Sequence, residues 1–313
     1  MKRTMNSGLM ITPLAASWVD QEFDLAIATV GYEERARHIF SALPPSARVK
    51  AACGFDSQQV FEYENNSAWF QSNRFDVAHL ADDDYGEWIQ GALNRVDTDG
   101  NPIKVLVDIS STTRVRMAKL LVALKNFTRV PIAATFVYSL ASFTAPPTER
   151  HANSHVGPVT PEFAGWWEEP DRALVAVVGL GYEQDKALGA VEHLQAAEIW
   201  TFMPASEVSQ FSPALLRANR TLLESVPPHQ QMDYRVQDPF DCFAKLESLV
   251  YGLSQTKNAV LLPFGPKLFS LASLLVALLY PELPVWRVSA EQHEQPVNRK
   301  ASGFVYGLEV AFK

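Results

Sequence analysis

Apolar residues along this chain fall into short runs separated by longer segments of helical spacing. Residues 23–30 are almost continuously apolar, which suits a strand whose sheet is covered on both faces. The same pattern predicts strands at 49–54, 75–80, 103–109 and 132–140. Between them come helical segments at about 33–43, 60–71, 84–96 and 112–127. Glu33 and Glu34 open the first helix, where negative charge complements the dipole, and Pro44-Pro45 ends it. The acidic turn Asp82-Asp83-Asp84 is a helix cap or a cation site, the cap being the simpler reading. Residues 1–22 read as an irregular lead-in with a short strand at 9–11. The order then repeats, with strands at 172–178, 198–203, 233–236, 259–262 and 285–288 and helices at 183–193, 213–223, 239–251 and 269–279. A final alternating run, 303–312, reads as an added edge strand. Strands alternating with helices, without hairpin signals, are the sequence form of a doubly wound α/β sheet.

The second half replays particular residues as well as the order. LAIATVGYEERARHIFSAL at 25–43 matches LVAVVGLGYEQDKALGAVEHL at 174–194, and VLVDISSTTRVRMAKLLVAL at 105–124 matches VLLPFGPKLFSLASLLVAL at 260–278. Tyr32 and Tyr182 lie 150 residues apart, and Leu124 and Leu278 lie 154 apart. Two matches at nearly one offset and in one order predict an internal duplication. The expectation is two tandem Rossmann-like parallel-sheet lobes of about five strands each, 1–145 and 171–313. They are joined by a linker at 146–170, rich in Pro, Ser, Thr and His. The pair Trp166-Trp167 implies that part of this linker packs.

Composition narrows the function classes. With 47% hydrophobic and 20% charged residues the chain has ordinary globular composition. The apolar stretch 268–280 is too short to span a bilayer, and the first residues lack a sustained apolar segment, so neither a membrane partner nor a signal peptide is expected. Cys53 and Cys242 lack metal spacing and read as free thiols of a cytoplasmic protein. The seven histidines also lack metal spacing, so no metal site is expected. A net charge of −8 disfavours a broad grip on duplex nucleic acid but leaves small anions open.

In an open parallel sheet, ligands gather at the carboxyl ends of the strands, and both repeated motifs fall at that edge. The loop Ser110-Ser111-Thr112-Thr113-Arg114 offers hydroxyls, helix N–H groups and a cation, the set an anionic group needs. In the second half Gly265 allows close backbone approach and Lys267 supplies a charge at nearly the same place. Helix capping and turn formation explain the same residues without a ligand. Tyr32 and Tyr182 are either stacking groups for a base or half-buried residues closing their loops. Asp108 is either a cap or a ligand-facing carboxylate. Glu33 and Glu183 share the first motif, and Glu33 and Asp108 are the candidates for acid–base work. There is no P-loop motif, no intact G-x-G-x-x-G and no G-x-S-x-G elbow, so no cofactor is specified.

A Rossmann-like lobe with such a cation-bearing loop before a long apolar helix resembles the CRISPR-associated Rossmann fold (CARF) sensor domains. The resembling residues are Ser110-Ser111-Thr112-Thr113-Arg114-Val115-Arg116-Met117 and Gly265-Pro266-Lys267. The resemblance implies binding of a cyclic or linear oligonucleotide second messenger in prokaryotic antiviral defence. It also implies that the duplication supplies, from one chain, the two domains such sensors pair around a ligand. Three readings follow: a regulatory binding protein for a nucleotide-like anion, an enzyme acting on a nucleotide or phosphodiester, or a subunit held by a protein partner.

Overall fold

The computed structural model describes residues 8–57, 59–145, 155–289 and 296–313, in two compact units. One comprises Gly8–Ser142 with Pro296–Lys313, and the other falls within Phe143–Gln295. They are called here the first and second units, with strands and helices numbered in chain order through both.

The first unit contains β1 (Leu9–Pro13), β2 (Glu22–Val30), β3 (Ser46–Phe55), β4 (Asp76–Leu80), β5 (Ile103–Asp108), β6 (Ile132–Ala141) and, from the C-terminal segment, β13 (Ala301–Phe312). They form one seven-stranded sheet in the order β1-β13-β6-β5-β2-β3-β4. The five strands from β6 to β4 are parallel, and β13 and β1 add antiparallel pairs. Strand order reverses between β2 and β5, the place where an open sheet forms a crevice. The helices are α1 (His38–Ala42), α2 (Tyr63–Ser72), α3 (Tyr85–Asn94) and α4 (Arg114–Lys125). Under α1 and α2 the rings of Phe40, Phe70 and Phe75 meet edge-on, with centroids 4.9 to 6.2 Å apart.

The second unit holds β7 (His155–Pro158), β8 (Leu174–Gly179), β9 (Glu198–Ala205), β10 (Gln231–Arg235), β11 (Asn258–Pro263) and β12 (Trp286–Ser289). Its parallel sheet has the order β10-β9-β8-β11. The helices are α5 (Lys186–Leu194), α6 (Phe211–Ala218), α7 (Arg220–Ser225), α8 (Pro239–Leu253) and α9 (Lys267–Leu279). α9 is buried from Leu268 to Leu278, as an all-round apolar helix must be. Among the described residues no helix is long and apolar enough to cross a membrane.

Several expectations change. The run at 303–312, expected at the edge of the second lobe, lies inside the first unit's sheet, where β13 pairs with β6 on one side and β1 on the other. Its alternation fits a strand with neighbours on both sides as well as an edge, so pattern alone could not place it. The fifth strand expected in the second lobe is β12, which pairs antiparallel with β7; a single bridge, Leu261 to Val285, links this region to the parallel sheet. Part of the expected linker, 146–154, lies outside the described residues. The rest packs in the second unit through β7 and a 3-10 turn that buries Phe163. Trp166, however, stays 80% exposed. The helix expected at 33–43 begins as a 3-10 turn, Glu34–Arg37, after an extended residue 33 whose carbonyl accepts from both the Ala36 N–H and the Asn66 amide. The helix expected at 183–193 starts only at Lys186, after Asp185 adopts φ 58. The helix at 213–223 is broken at Asn219, whose side chain is turned to another loop.

Candidate functional site

In each unit the two repeated loops meet at the carboxyl ends of adjacent strands. β2 pairs with β5, and β8 pairs with β11. In the first unit, a Cβ placed on Gly31 would lie 2.5 Å from the Ser111 Cβ, so only glycine lets the loops touch there. In the second unit, a Cβ on Gly181 would lie 3.0 Å from the Gly265 nitrogen, and Gly265 itself adopts φ 70.

A buried asparagine fastens each Gly-Tyr-Glu loop. Asn66 of α2 donates from Nδ2 to the carbonyls of Gly31 (2.8 Å) and Glu33 (2.9 Å). Asn219, at the α6–α7 break, donates to the Gly181 carbonyl (2.7 Å). An aromatic ring accompanies each tyrosine. The Tyr32 centroid lies 6.2 Å from Phe61, and that of Tyr182 lies 5.4 Å from Phe211. Tyr32 and Tyr182 are thus half-buried loop residues, and Tyr182 has a second ring neighbour in Phe143, 6.2 Å away.

Most hydroxyls of the 110–114 loop are committed to holding it. The Asp108 carboxylate is buried and accepts from the Ser110 N–H at 2.8 Å. Ser110 Oγ accepts from the Ser139 N–H of β6 at 2.8 Å. The hydroxyls of Thr112 and Thr29 are 2.8 Å apart. Thr113 caps α4, its hydroxyl accepting from the Arg116 N–H at 3.1 Å. The buried Ser111 Oγ has no hydrogen-bond partner among the described residues. Arg114 is the first residue of α4 and Lys267 the first of α9, both half-buried. Each unit therefore puts a cation where the helix dipole disfavours it by about 0.3–1 kcal/mol, a cost that a bound anion would reverse.

The carboxylates are engaged by neighbouring groups. Glu33 is buried with both oxygens occupied: Arg35 Nε donates to Oε2, and Arg299 donates to Oε1 at 3.0 Å. Arg35 also donates to the Ser139 carbonyl (2.6 Å) and stands over the Tyr138 ring at 5.3 Å. Burial opposes the charge on Arg35, but Tyr138 and Glu33 outweigh it and push its pKa further up. Glu183 is half-buried, folded back toward Gly181. The acidic turn anchors helix α4: Asp82 accepts from Arg116 Nε at 2.6 Å and Asp83 from Lys119 at 3.1 Å. Among the described residues no group of His, Cys, Asp and Glu could hold a metal. Both cysteines are buried and free; burial pushes the Cys53 thiol up to about 11, against the pull of Arg116.

Sequence reading missed Asn66, Asn219 and Arg299, and gave Arg116 only as part of the resembling run, without its role in tying strand ends to α4. A signal existed for the asparagines, since Phe61 and Phe211 lie 150 residues apart, the tyrosine offset, and Asn66 and Asn219 lie 153 apart. Two clefts are lined by none of the residues of the Gly-Tyr-Glu and helix-leading loops. One of about 480 Å³ is lined by Glu34, Arg37, His38, Ser41, Lys300 and Ser302 in the first unit. Another, of about 640 Å³, is lined by Trp166, Trp167, Arg172, Lys257 and Glu282 in the second. A scan against protein-family models and a search of curated proteins return no match for this chain.

Proposed function

We propose that this protein is a cytoplasmic regulatory protein that binds a nucleotide-like anion, such as an oligonucleotide second messenger of antiviral defence. Its two units are read as Rossmann-like lobes related by duplication. The ligand would sit at the strand-edge loops, with Tyr32, Ser111 and Arg114 in the first unit and Tyr182, Gly265 and Lys267 in the second. The observation that carries this reading is the paired geometry: in both units an asparagine-fastened Gly-Tyr-Glu loop abuts a loop whose helix begins with a cation. Binding is favoured over catalysis because Glu33 is held by two arginines and Asp108 by the Ser110 N–H.

Calorimetric titration with nucleoside 5′-phosphates and with cyclic and linear oligoribonucleotides tests the proposal. At least one should bind, and Arg114→Ala and Lys267→Ala should each weaken it about 10-fold or more, the worth of a charge-assisted hydrogen bond. Binding that survives both changes rejects the site, and silence across the panel rejects the ligand class. The 80% exposure of Trp166 favours a second reading, a docking surface for a protein partner. A stoichiometric partner lost on Trp166→Ala in native mass spectrometry would support it.

A further inference from the structure

The 480 Å³ cleft of the first unit is chemically unlike the strand-edge loops. Its walls are the segment from the 3-10 turn Glu34–Arg37 through α1, and the start of β13. Hydrogen bonds lace these walls together: the Glu34 N–H donates to the Asn298 side-chain Oδ1 (2.8 Å) and the Arg35 N–H to the Arg299 carbonyl (3.2 Å). β13 shifts register against β6 between Ala301 and Val305, with Gly303 at φ 91. That bulge bends the strand at the cleft mouth, and Ser302 pins it by donating to the Leu140 carbonyl at 2.9 Å.

Among the described residues that line this cleft the charges do not cancel: Arg35, Arg37 and Lys300 stand with one carboxylate, Glu34, and Arg35 is bonded to Glu33 behind them. Arg37 is half-buried, and its side chain has no hydrogen bond or ion pair among the described residues. Lys300 meets Glu34 at 3.5 Å with both side chains well exposed, a weak pairing that a ligand can replace. This local positive excess stands out in a chain of net charge −8. The positions 150 residues on from Arg35, Arg37 and His38 are Asp185, Ala187 and Leu188, so the second unit has no counterpart.

We propose that this cleft is a binding site for the phosphate group of a small phosphorylated ligand, held by Arg37 and Lys300 in front of the fixed Arg35 guanidinium. Its volume lies in the range of small-molecule sites, and its cations form one compact cluster rather than the extended stripe a nucleic-acid strand needs. The proposal is independent of the strand-edge loops. The test is titration with inorganic pyrophosphate and inorganic phosphate, followed by ³¹P line broadening and calorimetry. The Arg37→Gln/Lys300→Gln variant should bind pyrophosphate at least 10-fold more weakly at an unchanged melting temperature. Arg114→Ala/Lys267→Ala should leave this binding intact, which separates the two sites. No pyrophosphate binding at millimolar concentration, or equal binding by the Arg37/Lys300 variant, overturns the proposal. So does affinity for single-stranded RNA that grows with its length, because that would indicate a polyanion surface.

Discussion

The two units fill the space beneath their helix-leading loops with opposite chemistry, from neighbouring positions of α4 and α9. Aligned through the shared Leu-Leu-Val-Ala-Leu, Arg116 of α4 corresponds to Ser270 of α9, and Val115 to Phe269. In the first unit Arg116 is fully buried. It donates to Asp82 and to the carbonyls of Gly54 (3.1 Å) and Leu80 (2.6 Å), with Phe55 and Tyr85 rings 4.0 and 5.0 Å from its guanidinium. One side chain thus ties the ends of β3 and β4 to α4. In the second unit Phe269 does the filling, its centroid 5.3 Å from Phe202 and 5.6 Å from Tyr234. Gly179 makes room for that ring, where the first unit has Thr29 bonded to Thr112. The topology requires that this space be filled, and either a charged knot or an aromatic trio will do. The charged version also orients strand-end carbonyls, which an aromatic plug cannot.

The largest expected effects come from emptying these positions. Arg116→Ala leaves the Gly54 and Leu80 carbonyls unsatisfied at about 1–3 kcal/mol each, and truncating a buried phenylalanine costs about 3–5 kcal/mol. Arg116→Ala and Phe269→Ala should each lower the thermal transition of their own unit by roughly 10 °C or more. The substitutions differ in what rescues them. Arg116→Met restores volume without hydrogen bonds and should stay well below wild type, because the Gly54 and Leu80 carbonyls remain orphaned. Phe269→Leu keeps an apolar plug and should recover most of the loss. Differential scanning calorimetry checks the set, and a full rescue by Arg116→Met would show that the knot acts by packing alone.

The asparagine clamps give a finer comparison. Asn66→Ala orphans the Gly31 carbonyl and takes one of two donors from the Glu33 carbonyl, which keeps the Ala36 N–H, while Asn219→Ala orphans the Gly181 carbonyl. Each should cost about 1–3 kcal/mol for the group left unsatisfied, and Asn66→Ala about 1 kcal/mol more for its second hydrogen bond. Urea denaturation midpoints at constant m-value measure both. A larger cost at Asn219 would mean that the second loop depends on its clamp more than the hydrogen bonds indicate.

Most strands and helices were legible in the hydrophobic pattern, because a continuous run such as 23–30 and a periodic one such as α9 each fit a single kind of burial. The meeting of the Gly-Tyr-Glu loops with the helix-leading loops followed from the repeat. What the pattern could not carry was long-range pairing. β13 joins β6 across more than 150 residues, and nothing in its alternation names its neighbour. Hydrogen-bond partners were equally hidden. Glu33 looked like a helix-opening acid until Arg299, 266 residues away, closed on it, and the 110–114 hydroxyls looked available until Ser139 and Thr29 engaged two of them. The asparagines read as ordinary polar helix residues because a side-chain amide announces no partner.

The smallest expected effect is a pH response confined to the first unit. His38 is half-buried in the 480 Å³ cleft, and burial lowers its pKa below the ordinary 6.5. The unfolded chain therefore takes up this proton before the folded one does. The stability that goes with a neutral His38 is fully present above pH 6.5 and is lost as the pH falls through 6.5 toward the lower folded pKa. The matching residue of the second unit, Leu188, cannot titrate, so its transition should lack this component. His38→Gln should flatten the fall of the first unit's transition temperature between about pH 7.5 and 5.5, set by the ordinary histidine range, and leave the second unit's unchanged. Equal slopes in wild type and variant would assign the acid response to another group. A variant that flattened both transitions would show that the units do not unfold independently, and each stability comparison drawn between them would then have to be read on the whole chain.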